Sequence, residues 1–162
     1  QAMYAAWSKT QKGRRMLQPI LDGYVLTEGF AAATKAGHLP ERSYMLGGTE
    51  QDMSIFKTSK NHGDFSLERI KKGAQPAYVY HFARQLPGDN AGAFHSSELW
   101  YMFGTLRRCW RPFTLADVEL SETMLGYWTN FMRTGDPNGR DLSPWAPYTA
   151  KTPEIHLFDI AK

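Results

Sequence analysis

The stretch Ala77-Tyr-Val-Tyr-His-Phe-Ala83 constrains the fold of this 162-residue chain more than any other. It combines aromatic and β-branched residues and offers no polar face except at His81. A strand with one wet face alternates apolar and polar residues, so this run suits a strand covered on both sides, as in a parallel sheet. Leu86-Pro-Gly-Asp-Asn-Ala-Gly92 follows as a dense cluster of turn formers. Residues just beyond Gly92 therefore sit past the end of a buried strand.

A second run, residues 43–48, is short, apolar and ends in Gly47-Gly48, the pattern of a buried strand stopping at a tight turn. Its loop carries Thr49, Glu50, Gln51 and Asp52. Downstream the period changes. Thr114 and Asp117 have the spacing of a capping box, with Asp standing in for the commoner Glu or Gln. Leu115, Val118, Leu125, Trp128, Phe131 and Met132 then recur at helical spacing, which predicts a helix of about five turns with that apolar stripe. Gly135-Asp-Pro-Asn-Gly139 stops it. Pro144-Trp145-Ala146-Pro147 reads as a pinned loop, and Glu154–Phe158 as a last short strand. Strands alternating with helices predict an α/β architecture.

Hydrophobic residues make up 42% of the chain and aromatic ones 14%, enough for one compact domain with a core. The net charge is +3, with the basic residues in small scattered groups: Lys12, Arg14 and Arg15; Lys71 and Lys72; Arg107, Arg108 and Arg111. That dispersal suits a solvated surface and argues against nucleic acid as a partner. Cys109 is the single cysteine, which excludes an intrachain disulfide and a cysteine-based zinc site and leaves the compartment open. No run of 18 apolar residues exists, so no membrane span is expected. The opening QAMYAAWSK has neither an initiator methionine nor a leader, and reads as the start of a soluble chain in mid-protein.

In open α/β sheets reactive residues gather on loops past the carboxyl ends of the strands. One such loop offers an acid, Asp52, and the other a base, His95. A carboxylate that accepts the Nδ1 proton of an imidazole fixes its tautomer and frees Nε2 for proton transfer. The bland reading of each histidine stands beside this. His81 suits a core or edge role, and His38 and His62 a solvated turn. His95 with Glu98, three residues on, is too small a set for a metal site, so no metal is expected. Spacing alone leaves His95 open between a catalytic and a structural role.

Longer motifs add to this. Gly92-Ala-Phe-His-Ser-Ser-Glu-Leu-Trp-Tyr-Met-Phe-Gly104 resembles the histidine motif G-x-x-H-x-x-E-x-x-x-x-F-G of the type B carboxylesterases, the cholinesterase-like branch of the α/β hydrolases. Leu17–Gly23 resembles that family's P-x-x-D-G segment, and Gly47–Phe56 its acid loop. Tyr78–Phe82 is similar to the strand before the histidine. Tyr127–Asn138 followed by Trp145 resembles the C-terminal W-x-N-F-x-x-x-G-x-P-N … W signature. The resemblance spans roughly residues 16–158.

It implies that residues 1–162 are the C-terminal part of an α/β-hydrolase fold, a single incomplete domain with a mostly parallel sheet and flanking helices. It further implies a carboxylic-ester hydrolase working by Ser-His-Asp/Glu acyl transfer without a cofactor. His95 falls on the triad histidine and Asp52 on the triad acid, usually a longer Glu, so the two loops must approach closely or Glu50 must serve instead. Met53 replaces the usual glycine after the acid. Glu98 matches the motif's acid, whose implied job is to tie the histidine loop to backbone or to a basic neighbour.

Two features depart from the family. No G-x-S-x-G elbow and no oxyanion-hole glycine cluster is present. Gly88-Asp-Asn-Ala-Gly92 has Asn in the central place, and Ser96 and Ser97 directly follow His95, where they cannot easily reach its Nε2. The nucleophile is thus expected from a missing N-terminal part of the same protein, with a small carboxylic ester as substrate. The alternative is a non-catalytic, cholinesterase-like adhesion module. Residues 57–76 are also fewer than the helical segment that relatives place there.

Overall fold

A computed structural model describes residues 19–52 and 59–160 of the chain. Its order is α1 (Phe30–Ala36), β1 (Met45–Thr49), α2 (Ser59–Lys71), β2 (Tyr78–Phe82), α3 (Leu99–Met102), a 3-10 turn (Leu106–Arg108), α4 (Leu115–Thr134) and β3 (His156–Phe158). The expected α/β architecture is present. The three strands form one parallel sheet in the order β1-β2-β3, so β2 is central. Residues 17, 18 and 53–56, which belong to the family-like segments, and Met53 among them, lie outside the described residues.

β2 is covered on both faces, as its composition requires. Tyr78 and Tyr80 turn to α4, where Tyr78 meets Phe131 edge-on at 6.2 Å and Tyr80 meets Trp128 at 5.1 Å. Val79, on the opposite face, is fully buried on the side where α2 packs. The neighbouring strand must come very close. Gly47 pairs with Tyr80, and a β-carbon there would collide with the Tyr80 carbonyl and ring.

α2 fills most of the short 57–76 connection. Ser66, in its middle, donates to the Tyr148 carbonyl at 2.7 Å and accepts from the Ala77 N–H at 2.8 Å. One hydroxyl thus pins the helix both to the start of β2 and to the C-terminal segment.

α4 starts and stops where its local signals place it. The Asp117 carboxylate accepts from the Thr114 N–H and hydroxyl, both at 2.8 Å, and Gly135 closes the helix at φ +78°. The buried face differs from the expected stripe. Leu115 and Met132 are 73% and 75% exposed, whereas Asp117, Leu120, Ser121, Met124 and Tyr127 are buried.

The reason is that two polar residues on that face have partners. Asp117 also takes Arg84 at 2.8 and 3.2 Å and the Tyr101 hydroxyl at 2.7 Å, and Ser121 donates to the Tyr101 carbonyl at 2.8 Å. Burial alone would raise the Asp117 pKa, but Arg84, Thr114 and Tyr101 outweigh it and hold the carboxyl at about 2.

After α4 the chain is held by Asn138. Its Oδ1 accepts from the Trp145 N–H at 2.7 Å and its Nδ2 donates to the Trp145 carbonyl at 2.9 Å. Trp145 is thereby seated in the core, 2% exposed, with the His156 ring of β3 stacked on it at 4.6 Å.

Candidate active site

Both candidate loops leave the same end of the sheet, and backbone bonds join them. The Glu50 N–H donates to the Phe82 carbonyl at 2.9 Å, and the Gln51 N–H to the Ala93 carbonyl at 3.0 Å. Gln51 and Phe94 form an isolated parallel bridge. The β1–β2 pairing is in effect prolonged beyond the strands into the two loops. Gly92 permits this approach, since it sits at φ +74° and a β-carbon there would fall onto the Gln51 side chain.

The turn before His95 is clamped from a distance. The Arg111 guanidinium donates to the Asp89 carboxylate at 2.5 and 2.9 Å and to the Pro87 carbonyl at 2.8 Å, and lies 5.4 Å from the Phe94 ring centre. This ion pair pulls the Asp89 carboxyl below its ordinary range. Arg111 and Asp89 were not among the sequence candidates. Nothing local links two residues 22 positions apart, and a basic surface group was the natural reading of Arg111.

Through this scaffold the structure brings His95 and Asp52 together. The imidazole Nδ1 and the carboxylate Oδ1 are 2.7 Å apart, with the two side chains 50% and 17% exposed. The close approach of the backbones makes the shorter acid sufficient. Glu50 is not brought into this pair. Its carboxylate accepts from Gln85 Nε2 at 2.7 Å, on the surface.

Glu98 lies just before α3, and its Oε2 is buried with no hydrogen-bond partner among the described residues. The expected tie to backbone or to a basic neighbour is not made by that oxygen. Burial pushes the Glu98 carboxyl up; its own N–H opposes this, the Asp52 charge adds to the rise, and His95 counters it. The Ser97 hydroxyl is likewise buried and without a partner among the described residues.

His38 is exposed and pairs with Glu28 at 2.7 Å, in keeping with its turn-like setting. His62 does not lie in a solvated turn. It sits in α2, partly buried, with Nδ1 inaccessible to solvent. The residues from Asn61 to Lys71 include no proline, and α2 continues through them despite Gly63.

An apolar groove of about 430 Å³ is lined by Phe94 and Ser96, the chain neighbours of His95, and by Leu99, Trp100, Phe103 and Thr105. Among the described residues, no three His, Cys, Asp or Glu side chains are grouped so as to hold a metal ion, and no helix is long and apolar enough to cross a membrane.

Residues 63–161 match the family model described as Carboxylesterase family. The chain is 43% identical over 146 residues to a bile salt-activated lipase of Mus musculus, covering 80% of this chain and 24% of the relative. It is 34% identical over 107 residues to a medium-chain fatty acyl-CoA hydrolase precursor of Anas platyrhynchos, covering 59% and 16%. Among solved structures, a thermophilic PNB esterase superimposes with a TM-score of 0.73 at 19% identity, over 96% of this chain and 43% of that one. That likeness shows the fold. The chain spans less than half of that structure and under a quarter of these two relatives.

Proposed function

This chain belongs to the carboxylesterase family, and on that footing we propose that it is the C-terminal part of one esterase domain, contributing the base and acid of an acyl-transfer site. The observation that carries the reading is the 2.7 Å contact between His95 Nδ1 and Asp52 Oδ1. A carboxylate in that place keeps the proton on Nδ1 and stabilises the imidazolium, which leaves Nε2 as the proton-handling nitrogen.

The serine comes from the part of the esterase domain that this chain does not span. His95 accepts its proton as the serine oxygen adds to the ester carbonyl, and returns that proton to the departing alkoxide as the acyl-enzyme forms. Water then adds to the acyl-enzyme, with His95 again taking and returning a proton, and the acid and free serine are released. No step calls for a metal or cofactor. The apolar groove beside Phe94 and Ser96 suits the hydrocarbon portion of an ester.

Support for a missing half also comes from the sheet. β1 and β3 each have one strand neighbour among the described residues, which leaves two edges for further strands. An adhesion module would have no chemical need for an acid held against an imidazole.

The test is hydrolysis of p-nitrophenyl esters. The complete protein should turn them over and be labelled by a fluorophosphonate at a serine outside these residues, while this chain alone should give only the uncatalysed rate. Turnover by the chain alone that His95→Ala abolishes would overturn the division of labour. A complete protein without turnover would favour the adhesion reading.

A further inference from the structure

His62 lies beside the pair that the proposed mechanism uses but has no part in it. A β-carbon built on Gly48, at the end of β1, would have Asp52 Oδ2 at 3.6 Å and the His62 ring at 3.7 Å. The carboxylate and the second imidazole thus converge on one point, left open by the missing side chain. His81, the register partner of Gly48 on β2, faces the same region and, with Asp52, is the titratable group acting on His62 among the described residues. Around the acid itself stand His95, Glu98 and the Tyr80 hydroxyl, whose burial raises its pKa.

The helix that carries His62 is held firmly. Ser66 anchors α2 through its two hydrogen bonds, and at Gly63 a β-carbon would come within 2.5 Å of the Tyr148 ring, so the helix lies flush against that residue. His62 Nδ1 is buried without a partner among the described residues. A ring present only for packing would do as well without nitrogens, since an unpaired buried nitrogen costs free energy.

We propose that His62 is a second imidazole on the Asp52 carboxylate, and that on acidification its protonation draws Asp52 away from His95. For its effect on turnover this rests on the esterase reading above. Burial favours the neutral ring, Asp52 favours the charged one, and His81 opposes the charge. When His62 takes a proton, its charge competes with the His95 ring for the one Asp52 carboxylate. His62 acts through Asp52 and is a positioning residue.

The experiment is a histidine titration by NMR of the complete protein that carries this chain, labelled at histidine Cε1, in the parent and in Asp52→Asn, His95→Gln and His62→Gln. Asp52→Asn should lower the His62 midpoint by about half a pH unit or more. His95→Gln should raise the His62 midpoint, since a competitor for the acid is gone. The acid limb of log kcat/KM should steepen toward a two-proton slope in the parent and return to a one-proton slope in His62→Gln. A His62 midpoint unmoved by both Asp52→Asn and His95→Gln overturns the sharing, whatever the turnover. A His62 midpoint shifted by both variants in a protein without ester turnover would uphold the sharing and sink the esterase reading instead.

Discussion

The Gln51 N–H donates to the Ala93 carbonyl at 3.0 Å, and this bond joins the loop that carries Asp52 to the loop that carries His95. Gly92 immediately precedes Ala93, at φ +74°, with the Gln51 side chain where a β-carbon would go. Gly92→Ala should therefore displace the two loops relative to each other. Displacements of about 1 Å at a reacting pair cost roughly a hundredfold in rate. Steady-state assays should show kcat falling by about that factor with KM little changed, and an unchanged kcat would mean that the loops find another way to meet.

The choice between the two acids is open to direct measurement. Asp52→Asn keeps the shape of the side chain but removes the charge that favours the Nδ1–H tautomer, and kcat should fall by about 10⁴. Glu50→Gln, on the surface beside Gln85, should leave kcat within about twofold. The reverse ranking would assign the acid to Glu50.

Asp117 should make the fold acid-sensitive. Its carboxyl titrates at about 2 in the folded protein and near 3.9 when unfolded. A depressed carboxyl pKa contributes stability that is complete above the unfolded value and fades as the pH falls through the folded one. About 2 kcal/mol should be lost between roughly pH 5 and pH 2. Asp117→Asn should flatten the pH dependence of Tm over that window and lower Tm at pH 7, because Arg84 is left without its anion. An equal slope in parent and variant would place the acid sensitivity elsewhere.

Asn138 and Trp145 should be strongly coupled in stability. Asn138→Ala strips both backbone groups of Trp145 of their partners and should cost about 1–3 kcal/mol. Trp145→Ala should cost about 3–5 kcal/mol through the cavity it leaves under His156 and Tyr127. The double variant should cost less than the two combined, because the bracket has no purpose without the ring. Strict additivity in thermal unfolding would show that the loop holds its shape independently.

What could be read from the sequence was what neighbouring residues encode. The central strand, the Thr114–Asp117 cap and the Gly135 stop all depend on a few consecutive positions. Reading α4 by apolar type misplaced its buried face, because Asp117 and Ser121 are buried by virtue of partners on β2's exit and α3. No hydrophobic pattern records such partners. The same holds for Arg111 and Asp89, and for His62, whose setting depends on where α2 lies against Gly48. Asp52 and His95 were legible as loop residues past strand ends. Their contact depends on a bridge between Gln51 and Phe94 that only the folded chain displays.

The most direct measurement is kcat/KM for p-nitrophenyl ester hydrolysis by the complete protein and its His95→Ala variant, with folding checked by Tm. If His95 is the base proposed above, its loss should reduce kcat/KM by at least about 10³, with Tm nearly unchanged because the imidazole is half-exposed. Turnover within a few-fold of the parent would contradict the account.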